Sequence, residues 1–134
     1  MKIKITIEGR PMSKSNEHMT FNGKPFVPQA LKRYERNAAW QAHQQMRENN
    51  WKMFTEPIFV IMIFYFKDRT RLDLTNGPKS ICDGLNKLVW KDDRLIHKCY
   101  LEHRIDVKER IEIEAWNISE SQETLTFENN LKIK

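Results

Sequence analysis

Cysteine is scarce in this chain of 134 residues: there are only Cys82 and Cys99, and neither belongs to a Cys-x-x-Cys pair. That argues against a disulfide framework and against structural zinc, and makes a reducing cytoplasm the expected compartment. Long apolar runs are also missing. A membrane span needs about 18 residues, whereas the longest apolar stretch, Ile58 to Phe66, has the length of a strand. The opening Met1-Lys2-Ile3-Lys4-Ile5-Thr6 alternates and lacks a signal-peptide core. No internal repeat or low-complexity tract is present, and the four histidines show no ligand spacing, so His97, close to Asp93 in sequence, reads as structural. What remains is a chain of one-domain size, 40% hydrophobic and 31% charged, with formal net charge +5 and pI ≈ 9.3. Five surplus positive charges alone fit many proteins that bind nothing anionic.

The hydrophobic pattern predicts an α/β or α+β architecture, a mixed sheet with two main helices packed on it. Ile3, Ile5 and Ile7 alternate with polar residues over Lys2 to Glu8, the pattern of a half-buried strand ended by Gly9-Arg10-Pro11. Residues 12 to 23 read as loop, and Lys24-Pro25-Phe26-Val27-Pro28 as a short edge strand, its prolines unable to donate to a ladder. Gln29 to Asn49 is expected to be a helix, with Leu31, Tyr34, Ala38, Ala42, Gln45 and Met46 near one face. Pro57 to Lys67 has no polar break before its last residue, which predicts a central strand buried on both faces. A second helix is expected from Thr75 or Asn76 to about Val89, with Pro78 in its first turn. Leu95 to Val107 and Arg110 to Trp116 read as a hairpin bent at Lys108-Glu109. Residues 118 to 134 read as a polar C-terminal tail beyond a domain of residues 1 to 117, with Leu125-Thr126-Phe127 as a short strand at most.

The chemistry concentrates between Asp73 and Asp93, where four carboxylates (Asp73, Asp83, Asp92 and Asp93), Asn76 and Lys79 fall within 21 residues. Clustered carboxylates suit a hard divalent cation, because Mg²⁺ prefers oxygen ligands. Such a cluster inside a basic protein points to an enzyme acting on a phosphate polymer. Taken singly, each residue has an ordinary reading. Asp73 is a loop aspartate, Asp92-Asp93 a solvated turn, and Lys79 and Asp83 an i,i+4 surface pair. Lys67, Arg69 and Arg71 alternate before Asp73, and with Lys14, Lys24, Lys32 and Arg33 they sketch a phosphate track. The four tryptophans offer aromatic surface, although most belong in a core. A helix from Asn76 to Val89 would be roughly 20 Å long, with Asp73 near one end and Asp92-Asp93 near the other. Ligands of one ion lie within about 2.1 Å of it, so the loops must fold back or a second subunit must complete the site.

The spacing resembles the RusA family of Holliday junction resolvases, small phage and prophage endonucleases with the pattern R-x-D-x-D-N-x-x-K-x-x-x-D-x-L followed by D-D. This chain reads Arg71-x-Asp73-x-Thr75-Asn76-x-x-Lys79-x-x-x-Asp83-x-Leu85, then Asp92-Asp93. Gly9-Arg10-Pro11-Met12-Ser13-Lys14 and Lys24-Pro25-Phe26-Val27-Pro28 are similar to the family's opening. The resemblance runs from about Ile5 to Trp116.

It implies a homodimeric, Mg²⁺-dependent endodeoxyribonuclease, with Mn²⁺ as a substitute, that makes paired nicks in branched DNA during recombination and repair. Asp73 and one of Asp92 and Asp93, with Asp93 preferred, would ligate metal. Lys79 would be catalytic, and Asn76 and Asp83 would support the site. One departure stands out: Thr75 occupies the place of a family aspartate. A neutral hydroxyl is a poorer metal ligand, so the alternative is a junction-binding protein of weakened or lost activity on the same fold. Asp68 and Asp83 are the carboxylates available to compensate. A general RNA-binding module is a third, more distant reading.

Overall fold

The computed structural model describes residues 1–13, 19–21, 24–26, 29–69, 77–119 and 121–133. The order is β1 (Lys2–Glu8), β2 (Met19–Phe21), β3 (Lys24–Phe26), α1 (Gln29–Glu48), β4 (Ile58–Phe66), α2 (Lys79–Leu85), a 3-10 turn (Asp93–Leu95), β5 (Ile96–Ile105), β6 (Arg110–Asn117) and α3 (Ser121–Ile133). Four strands form one mixed sheet in the order β1-β6-β4-β5, while β2 and β3 pair separately. The architecture is α+β.

Periodicity explains the elements. The even-numbered residues of β4 (Ile58, Val60, Met62, Phe64 and Phe66) join Ile3, Ile5 and Ile7 of β1 and Ile111, Ile113 and Ala115 of β6 in one core under α1 and α2. Phe59 and Ile61 of β4 face the other way and cluster with Trp116. A strand buried on both faces needs an unbroken apolar run, and β4 has one. Along α1 the buried stripe is Leu31, Ala38, Ala42 and Met46. Gln45 and Gln41 serve another purpose. The Gln45 amide accepts from the Thr6 backbone N–H at 2.9 Å and donates to the Thr6 carbonyl at 2.7 Å, and Gln41 makes the same pair of bonds to Glu8. The helix therefore occupies the outer hydrogen-bonding row of edge strand β1, which would otherwise invite another strand.

Four expectations are corrected. First, β5 and β6 are not a hairpin. Both pair with β4, β5 parallel and β6 antiparallel, so that Phe64 lies between His103 and Ile111. Alternation identifies strands but not neighbours, and the doubly apolar β4 takes the centre. Second, residues 121–133 are helical rather than tail or strand, which makes three helices among the described residues, not two. Phe127 of α3 packs edge-on against Phe59, Tyr100 and Trp116 at ring distances of 5.2, 5.3 and 6.5 Å. Third, Met19–Phe21 is strand β2 rather than loop.

Fourth, α2 is only seven residues long and ends at Leu85. Asn86 turns extended and Lys87 adopts a left-handed φ of 67°. The Leu88 and Val89 N–H groups then both donate to the Leu85 carbonyl, at 3.1 and 3.0 Å, which wraps the chain back instead of continuing the helix. Val89 is buried and Leu88 packs against the core from this turn.

Candidate functional site

The shortened helix changes the site's dimensions. Seven residues span about 10 Å, half the expected length, and the return turn brings the 92–93 pair back toward α2. The turn is pinned from three sides. The Phe54 N–H donates to the Val89 carbonyl at 2.8 Å, the Lys91 N–H to the Phe54 carbonyl at 2.9 Å, and the Lys87 N–H to the Trp90 carbonyl at 2.7 Å. The helix is seated just as firmly. Ser80 is buried and its hydroxyl donates to the Met12 carbonyl, which ties α2 to the segment after β1. At Gly84 α2 runs close to α1: a β-carbon there would lie 3.1 Å from the Glu35 carbonyl oxygen. A side chain there would press on the Glu35 backbone, which would have to give by a few tenths of an ångström, so glycine suits the approach.

Asp92 and Asp93, adjacent in sequence, have opposite surroundings. Asp92 is the N-cap of the 3-10 turn. Its carboxylate accepts from the Arg94 backbone N–H at 2.9 Å and from the Arg94 guanidinium at 3.2 and 3.1 Å. These bonds hold its carboxyl below the usual carboxylate range. Asp93 points inward, and its Oδ1 accepts from the indole N–H of Trp90 at 2.7 Å. Trp90 is fully buried, so the carboxylate is held by a side chain embedded in the core. Partial burial pushes the Asp93 carboxyl up, the Trp90 bond pulls it down, and the negative charges of Asp83 and Asp92 push it up again. Cys82 feels the same field. Its thiol is pushed up to about 12 by burial first, and then by Asp93 and other neighbours including Asp83. Such a thiol stays protonated near neutral pH and is a poor nucleophile.

Lys79 and Asp83 are exposed one turn apart on α2, and Asp83 is close enough to Asp93 for its charge to act there. Asp68 lies elsewhere, in contact with Arg10 Nη1 at 3.3 Å, while Arg10 also pairs with Glu109 at 2.6 Å. Lys67 and Arg69 are exposed just beyond β4. Lys14, Arg71, Asp73, Thr75 and Asn76 lie outside the described residues, and of Lys24 only the backbone in β3 is described. Among the described residues no group of three or more His, Cys, Asp or Glu side chains is gathered to hold a metal ion. The pair that is described nevertheless suits one. Asp83 and Asp93 offer only oxygen donors, and their mutual repulsion is what a hard divalent cation would relieve.

A family model described as endodeoxyribonuclease RusA matches residues 8–115. The chain belongs to the RusA family. RusA enzymes are Holliday junction endonucleases that bind branched DNA and are generally dependent on a divalent metal. No curated protein matches the chain. The RusA match runs from the last residue of β1 through most of β6 and stops before α3. No helix among the described residues is long and apolar enough to cross a membrane. Two features of this RusA chain escaped the sequence reading. Gly84 carried a signal, as the one small residue between Asp83 and Leu85 on a helix that must pack. Trp90 carried a weaker one, its spacing of three residues from Asp93, which a buried tryptophan shares with any neighbour.

Proposed function

We propose that this protein is a Mg²⁺-dependent, structure-selective endodeoxyribonuclease that resolves four-way DNA junctions by paired nicks, with Asp73, Asp93 and Lys79 at its centre. The observation that carries this reading is the contrast within the aspartate pair. Asp92 is consumed by its own cap and by Arg94, whereas Asp93 is fixed by Trp90 and feels the charge of Asp83. A carboxylate held by a buried indole keeps its direction without loop flexibility, as a ligand or base in a nuclease requires. Asp83, whose charge acts on Asp93, is the candidate to offset the neutral Thr75, while Asp68 is engaged with Arg10.

In this reading Asp93 and Asp73 hold the cation, with Asp83 and Asn76 supporting them. When bound, the cation supplies Lewis acidity to the scissile phosphate and to the attacking water. Lys79, exposed on the first turn of α2, places its ammonium against a phosphate oxygen and stabilises the charge that develops in the transition state. Lys14, Lys24, Lys67, Arg69 and Arg71 contact the DNA backbone. Two sites are needed for paired nicks, and a four-way junction has approximate two-fold symmetry, so the working form is a homodimer.

The test is incubation of the protein with a labelled four-way junction and a matched linear duplex, in Mg²⁺ or EDTA. Paired nicks confined to the junction and lost in EDTA are the expected result; equal cutting of the linear duplex would contradict it. Thr75 favours a second reading, a junction-binding protein with little activity. Junction-selective binding without nicks, with nicking restored by Thr75→Asp, would establish that reading instead.

A further inference from the structure

We propose that a duplex arm of the DNA runs across the surface where the end of α1 meets the 86–94 turn, on Arg47, Lys87 and Lys91. This rests on the DNA-processing reading above and adds residues that the site assignments do not include. Two open depressions adjoin there. One, of about 500 Å³, is lined by His43, Arg47, Trp51 and Lys87 among others, and the second, of about 420 Å³, by Lys87, Lys91, Asp92 and Arg94. They share Met53 and Lys87, so they form one trough, and its lining includes Asp92, the sequence neighbour of the proposed ligand Asp93.

Charge selects the occupant. Among the described residues, Asp92 is the only carboxylate lining either depression, and Arg94 neutralises it through the hydrogen bonds already described. Arg47, Lys87 and Lys91 are exposed and make no ion pair among the described residues. Three exposed cations, of which Lys87 also lies within electrostatic reach of Asp92, suit a phosphodiester backbone. Trp51 packs against the core and offers little free ring for stacking on bases, which favours duplex over unpaired strand. The backbone supports the assignment. Lys87 holds a left-handed φ of 67°, a conformation that lysine adopts unwillingly, fixed by the 2.7 Å bond to the Trp90 carbonyl. The bend that returns Asp93 to α2 is thus the bend that sets Lys87 between the two depressions.

The test compares the wild type, a triple variant Arg47→Gln/Lys87→Asn/Lys91→Gln and a control triple Lys4→Gln/Lys98→Gln/Lys132→Gln. Asparagine at position 87 tolerates the left-handed backbone. The control removes the same charge from β1, β5 and α3. Affinity for a labelled four-way junction without divalent metal is measured against KCl. Each lost phosphate contact lowers the slope of log K against log[salt] by about 0.9, so the trough variant should lose about 2.7. Its affinity deficit should therefore shrink roughly fortyfold between about 50 and 200 mM salt. The control should keep the wild-type slope. A trough variant with the wild-type slope, or a control that falls equally, overturns the assignment. An equal loss of affinity for single-stranded oligonucleotide overturns the duplex form of it. A wild type that binds junction and linear duplex alike would sink the junction reading, while the slopes would still report on this surface.

Discussion

The two faces of the four-stranded sheet are built to different depths. Beneath α1 and α2, nineteen of the described residues form one continuous buried cluster, reaching from Ile3 through Phe64 to Trp90. On the opposite face the buried side chains among the described residues of β4 and β6 are Phe59, Ile61, Tyr65 and Trp116, and α3 reaches this face chiefly through Phe127. Leu125 and Leu131 of the same helix stay exposed. The deep face carries the candidate chemistry: Lys79, Asp83 and Asp93 all hang from elements locked into that core. A site that must hold carboxylates against their own repulsion draws on the rigid side of a fold. The shallow face carries ion pairs, such as Lys4 with Glu114 at 3.2 Å, and a single helix.

This contrast can be broken most severely at Trp90. Trp90→Ala leaves a large cavity in the deep core and frees Asp93, and should cost about 3–5 kcal/mol in urea unfolding. Next comes Gly84→Val, which drives a branched side chain into the Glu35 backbone 3.1 Å away and should cost about 1–3 kcal/mol. Phe127→Ala, on the shallow face, should cost about 1–2 kcal/mol because the ring is only partly buried, and should leave junction cleavage at the wild-type rate. Losing cleavage with Phe127 would show that the shallow face shares in the chemistry. The smallest effect belongs to Lys98→Ala, which removes a surface ion pair to Glu128 and should change stability by less than about 1 kcal/mol.

A fifth substitution sharpens the link between core and site. Trp90→Phe keeps most of the buried volume but removes the indole N–H. That bond favours the ionised form of Asp93, so its loss should raise the carboxyl further. The acid limb of a cleavage–pH profile should then move to higher pH. An unmoved limb would mean that Asp93 ionisation does not govern the rate.

Much of the fold was legible because burial leaves periodic marks. The unbroken run Ile58 to Phe66 could only be a strand covered on both sides, and the i, i+4 stripe of α1 appears where it was expected. Pairing was not legible: β5 and β6 alternate as hairpin strands do, yet each chose β4. The third helix left too faint a pattern, since of its larger apolar side chains Phe127 reaches the sheet while Leu125 and Leu131 remain exposed. Asp83, Asp92 and Asp93 were visible as a spacing, but their inequality was not. It depends on a buried indole, a left-handed lysine and an arginine two residues on, and a linear string of residues does not say which way each aspartate turns. Asp73, Thr75 and Asn76 rest on the sequence alone.

Parallel cleavage assays on Asp92→Asn and Asp93→Asn test the proposed centre most directly. Asparagine can still cap the 3-10 turn at position 92 and still accept the Trp90 bond at position 93, so both variants should fold, and a thermal melt of each would verify it. With a four-way junction and Mg²⁺, Asp92→Asn should cut within a few-fold of the wild-type rate, while Asp93→Asn should lose cleavage but keep junction binding. Full activity in Asp93→Asn together with loss in Asp92→Asn would contradict the assignment.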